Sequence, residues 1–154
     1  MFDVILYQPE IPPNTGTIIR LCAATGTQLH LIGPLGFRLD APAVKRAGMD
    51  YRELADVKRW SDWSAYRKAN DREARTFALS TKGKQAHWQP DFIPGDRFLF
   101  GSEGSGLPES VLEKQADRII RIPMSPKARS LNLAVSVSIV LYEALRQVEF
   151  RGLS

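Results

Sequence analysis

Residues 98–108 read FLFGSEGSGLP: an apolar run fit for a strand, three glycines set around Glu103, and a proline where a helix can begin. A strand that turns through a glycine-rich loop into a helix is the βα step of a parallel sheet, so this stretch points to an α/β fold. Glycine costs backbone entropy on folding and is used where φ is positive or where backbone must come close. Gly101, Gly104 and Gly106 therefore have two readings. One is a surface loop. The other is a loop whose N–H groups hold a polar ligand, with Glu103 suited to a cationic or hydroxyl-bearing group. No Gly-Lys-Ser/Thr follows, as a phosphate-binding Walker loop requires, and the order G-x-x-G-x-G is not the dinucleotide fingerprint.

Working outward, the same alternation extends through the chain. Apolar runs at 2–7 (FDVILY), 28–32 (QLHLI), 75–80 (RTFALS), 97–100 (RFLF) and 118–122 (RIIRI) predict strands. Between them, Asn14 is a candidate cap for a helix to about Ala24, ended by Gly26. Further helices are expected at 41–47 (ended by Gly48), from Ser61 through SDWSAYRKAN, after Leu107 with Pro108 at the first position, and from Ser130 to Glu149. Strands alternating with helices give a parallel sheet flanked by helices, which binds ligands beyond the carboxyl ends of its strands. No repeat or linker divides the 154 residues, so a single domain over 1–154 is expected.

Composition narrows the class. The apolar fraction is 44% and the charged fraction 25%, ordinary for a globular chain. The one cysteine, Cys22, allows no internal disulfide and suits a reducing compartment; within IIRLCAA it reads as a small buried residue. MFDVILYQPE lacks the basic start and apolar core of a signal peptide. His30 and His87 have no ligand-spaced neighbours, so no metal is expected. A formal net charge of +4 suits a polyanionic partner. The segment LNLAVSVSIVLYEAL has fifteen nearly uncharged residues, short of the ~18–20 of a membrane span. A helix apolar on most faces in so small a domain predicts a subunit interface.

Two further stretches carry polar residues in apolar settings. In IPMSPKARSLNLAV (122–135), Ser130 is a natural helix cap, whereas Asn132 needs a partner that capping by Ser130 does not supply. In PEIPPNTGTIIRLCAATG (9–26), Arg20 is the lone charge of an apolar helix. It either reaches to solvent along its stem or grips a phosphate or ribose. No Ser/His/acid set and no paired carboxylates at acid–base spacing are evident.

The three stretches, in this order and with RAGMDY and FALSTKG between them, resemble the SPOUT class of methyltransferases over the whole chain, specifically its small branch that methylates ribose 2′-hydroxyls. Within that branch the resemblance is strongest to enzymes acting on the wobble nucleotide, position 34, of tRNA. The resemblance implies an α/β fold with a C-terminal trefoil knot, a cytoplasmic homodimer, S-adenosyl-L-methionine as methyl donor, no metal, no membrane, and the tRNA anticodon stem-loop as partner. It implies donor contacts at Leu79, Gly101, Gly106, Ile122, Ser130 and Leu131, and a catalytic group of Arg20, Asn14, Glu103 and Asn132. The glycines would then let backbone approach the donor. Arginine is a poor base at neutral pH, so Arg20 is expected to orient ribose or phosphate and stabilise the developing alkoxide. One departure stands out: Leu133 is followed by Ala134-Val135 where the wobble branch often reads Ser-Asn, an ending that leans towards other tRNA or rRNA riboses.

Overall fold

The computed structural model describes residues 1–47, 56–70 and 72–154. Its strands are β1 (Asp3–Tyr7), β2 (Gln28–Ile32), β3 (Val57–Trp60), β4 (Thr76–Leu79), β5 (Gln85–Ala86), β6 (Arg97–Phe100) and β7 (Ile119–Arg121). The helices are α1 (Pro12–Thr25), α2 (Pro42–Arg46), α3 (Trp63–Ala69), α4 (Glu109–Glu113) and α5 (Leu133–Gln147), with a 3₁₀ turn at Ala116–Arg118. The sheet runs β3-β2-β1-β6-β4-β7-β5, every pairing parallel. This is the α/β architecture expected.

Both faces of the sheet's centre are buried, which is why β1 and β6 read as apolar runs. Val4, Leu6, Phe98 and Phe100 point to one face, where the larger core lies against α1 and α5. Ile5, Leu99 and Ala78 point to the other, packed with Tyr66 of α3 and Val111 and Leu112 of α4. His30 is buried between sheet and α3: its Nδ1 accepts from Trp60 Nε1 at 3.0 Å, and Nε2 lies 3.4 Å from Asp3. The accepting Nδ1 fixes the proton on Nε2.

Several helix starts differ from expectation. Asn14 does not cap α1; the helix begins at Pro12, and its first two positions are prolines with no N–H to satisfy. α1 does end as read, with Gly26 at φ 63°. The cap of α3 is Asp62 rather than Ser61, its carboxylate accepting from Ala65 N at 2.8 Å. The cap of α5 is Asn132 rather than Ser130, its Oδ1 accepting from Val135 N at 3.2 Å. Pro108 stands just before α4, at its cap. Strands β3 and β5 were not expected: VKRW carries two charges, and β5 is two residues long. Gly48 and most of RAGMDY lie outside the described residues.

Candidate active site

The glycine loop follows β6 and closes on itself. Gly106 has φ +67°, its N–H donates to Ser102 O at 2.9 Å, and Ser102 and Ser105 hydroxyls share a 2.9 Å bond. A Cβ on Gly101 would stand 2.2 Å from the Gly106 carbonyl carbon and 2.4 Å from Leu107 N. The first demand on Gly101 and Gly106 is thus the loop's own closure, before any ligand approaches. Glu103 is also committed within the chain. Its two carboxylate oxygens accept from Glu10 N at 2.7 Å and Ile11 N at 3.2 Å. A carboxylate on these N–H groups, at the start of α1, also meets the positive end of the helix dipole. It ties the proline-rich turn to the glycine loop, a use the sequence reading did not foresee.

Beneath the loop, beyond the carboxyl ends of β4, β6 and β7, lies a cavity of about 760 Å³. Such a volume falls in the ordinary range for small-ligand pockets. Nine of the ten residues singled out from the sequence line it: Asn14, Leu79, Gly101, Glu103, Gly106, Ile122, Ser130, Leu131 and Asn132. Asn132, besides capping α5, donates from Nδ2 to Asn14 Oδ1 at 2.9 Å, joining two residues 118 positions apart. This bond uses Asn14's carbonyl and leaves its amide donors to the cavity. The partner that Asn132 needed is therefore Asn14. Leu79, Ile122, Leu131 and Leu133 supply apolar wall.

Arg20 is the exception. It lies on the exposed side of α1 and does not line the cavity of its own chain. Six residues of helix set it about 9 Å along the axis from Asn14. Nearby, Cys22 is buried and its thiol is pushed up to about 12 by burial, so it stays protonated. The sequence reading missed Phe100, Met124, Arg129 and Ser136 of the lining. Ser136 was within reach, because it follows Asn132 by four residues on one helix face. Outward on α5, Val135 and Tyr142 are each 47% exposed, and Phe150 rests against Tyr142 with ring centres 6.4 Å apart. Among the described residues no helix is long and apolar enough to cross a membrane.

Residues 1–142 match the model of the SpoU rRNA Methylase family. The chain is 52% identical over 153 residues to the tRNA (cytidine(34)-2'-O)-methyltransferase of Aeromonas hydrophila, covering 99% of this chain and 97% of that one. A solved structure described as giving insights into the 2-OH methylation of C/U34 on tRNA superposes with TM-score 0.91 at 46% identity, over 98% of both chains. An AdoMet-bound rRNA methyltransferase from Sinorhizobium meliloti superposes with TM-score 0.82 at 29% identity, over 96% of this chain and 56% of that one.

Proposed function

This chain belongs to the SpoU rRNA methylase family, and from that premise we propose that it transfers a methyl group from S-adenosylmethionine to the ribose 2′-hydroxyl of the wobble nucleotide, C34 or U34, of tRNA. The observation that carries the reading is the cavity where the loops after β4, β6 and β7 meet at the carboxyl edge of a parallel sheet. Relatives named for position 34 outweigh the Ala134-Val135 departure.

The residues present fit the donor. Leu79, Ile122 and Leu131 form apolar wall for an adenine and its chain, while the glycine loop offers backbone N–H groups. When bound, S-adenosylmethionine would supply an electrophilic methyl on its sulfonium, leaving as a thioether when the ribose oxygen takes that methyl and gives up its proton to solvent. Asn14 and Asn132 hold each other and set the polar corner against which the ribose lies. Glu103 acts as a positioning residue, fixing the turn that leads into Asn14. Alignment of the reacting groups supplies up to about 7–11 kcal/mol of the acceleration.

The site is completed by a second copy of the chain. The exposed Val135 and Tyr142 on α5, beside the exposed face of α1, form the interface of a homodimer. Across it, Arg20 of the partner subunit reaches the cavity and stabilises the developing alkoxide with its guanidinium fork. The knot of the SPOUT class fits the tight crossing of the loop after β4 over β7, where a Cβ on Gly83 would stand 2.6 Å from the Ile120 carbonyl carbon. Arg129, in the cavity wall, is placed for a phosphate of the anticodon loop. A chain of this kind works where tRNA is, in the cytoplasm.

Nucleoside mass spectrometry of tRNA from cells lacking the protein tests the assignment. Loss of 2′-O-methylation at position 34 is expected, and unchanged methylation there would refute it. Arg20→Lys keeps the charge but not the fork; near-normal turnover would reject the role given to Arg20.

A further inference from the structure

A second cavity, of about 310 Å³, opens at the same carboxyl edge of the sheet, over the ends of β2 and β3. Its walls include Leu31, Pro34, Leu35, Phe37, Arg59 and Ser61. The strand register sets which side chains share it. Leu31 pairs with Arg59, and Ile32 with Trp60, so Arg59 stands on the face of Leu31 while Trp60 turns to the opposite face. Leu35 and Phe37 are half-buried against the core on the Leu31 face. The cavity thus has an apolar, partly aromatic floor with one guanidinium at its wall.

That guanidinium is exposed and makes no ion pair or hydrogen bond among the described residues. Arg38, close by in sequence, is held instead by Asp40 at 3.1 Å. The cavity is also braced to the active site. Gly33 N donates to Trp60 O at 2.9 Å, and Gly36 N donates to Pro9 O at 3.1 Å. The next residue, Glu10, is clamped by Glu103 on the rim of the first cavity. At about 4.8 Å per strand, the midpoint between β3 and β2 lies about 14 Å from the midpoint between β6 and β4.

From these observations we propose that the second cavity is a subsite for a single-stranded nucleotide of the RNA substrate, close to the methylated one. The base lies on Phe37 and Leu35, and its phosphate meets Arg59. An apolar platform beside an exposed arginine with no partner among the described residues is the combination that holds an unstacked base and its backbone. The inference rests on the reading of tRNA as substrate, and its volume suits one nucleotide unit rather than a folded duplex.

The test is binding of an anticodon stem-loop RNA, followed by fluorescence anisotropy over a range of salt, with methyl transfer followed separately. Arg59→Ala is expected to reduce the slope of log K against log[salt] by about 0.7–1, the share of one phosphate contact, and to weaken binding about five-fold. Arg59→Lys restores the slope. Phe37→Leu, which keeps an apolar side chain, weakens binding about five-fold through lost stacking and leaves the slope unchanged. Affinity for S-adenosylmethionine stays as in the wild type for all three. Lys58→Ala, one position away on the other face, changes neither slope nor affinity. An unchanged slope in Arg59→Ala, an equal loss in Lys58→Ala, or no RNA binding by the wild type overturns the inference. Wild-type protein that binds RNA but transfers no methyl would instead sink the proposed function alone.

Discussion

Replacing Glu103 by alanine removes both acceptors that hold the turn before α1. The bonds, 2.7 Å to Glu10 N and 3.2 Å to Ile11 N, are charge-assisted, and such bonds contribute about 1.5–3 kcal/mol each when sheltered. Both lie at the surface, where water competes, so the pair is worth about 1–2 kcal/mol together. At about 2–4 °C per kcal/mol for a domain near 150 residues, the melting temperature should fall by about 2–8 °C. Amide hydrogen exchange gives the sharper reading. Glu10 and Ile11 should lose protection by about ten-fold, while Val4–Leu6 in the buried centre of β1 keep theirs. Glu103→Gln retains one strong acceptor and should show about half the effect. Donor affinity should weaken in step with the lost protection, and the pH profile of turnover should keep its shape. If turnover collapses while both amides exchange as in the wild type, Glu103 acts on the reactants themselves and the positioning argument is wrong.

Gly101→Ala forces a Cβ to within 2.2 Å of loop backbone that has no side chain to yield, and overpacking of that kind costs about 1–3 kcal/mol. Calorimetric titration should find donor binding lost, and near-normal affinity would refute the tight closure of the loop. Asn132→Asp keeps the cap on Val135 but cannot donate to Asn14, whereas Asn132→Ala loses both. The melting temperature should therefore fall by about 2–4 °C for alanine and less for aspartate, while kcat falls in both. Cys22, with its thiol pushed up to about 12, should resist alkylation at pH 9 until the protein unfolds. The thiol ionises from its ordinary value of 9.0 in the unfolded chain, so its contribution to stability is intact below pH 9 and is lost as pH rises towards 12. Fast native labelling at pH 9 would contradict this.

Buried strands were legible because both faces of the sheet are covered, which leaves runs such as DVILY and RFLF without polar interruption. Edge strand β3 was not, since VKRW buries little and keeps its charges. Asn14 stands where a cap is expected, but two prolines leave few donors there, and its side chain instead meets Asn132. Glycine content marked the loop at 101–106, yet its cause lay in contacts of Gly101 with Gly106 that spacing alone does not reveal. Glu103 shows the deeper limit: its partners are 92 and 93 residues away, and nothing local announces them. Arg20 was singled out as a lone charge on an apolar helix, but no pattern in one chain could say that it stands outside that chain's own cavity.

The most direct measurement uses labelled S-adenosylmethionine and two otherwise identical tRNAs, one carrying a 2′-deoxyribose at position 34 only. Transfer to the unmodified tRNA and none to the deoxy form is the predicted result. Label appearing equally in both would mean that the methyl goes elsewhere, and would contradict the assignment of this cavity to the wobble ribose.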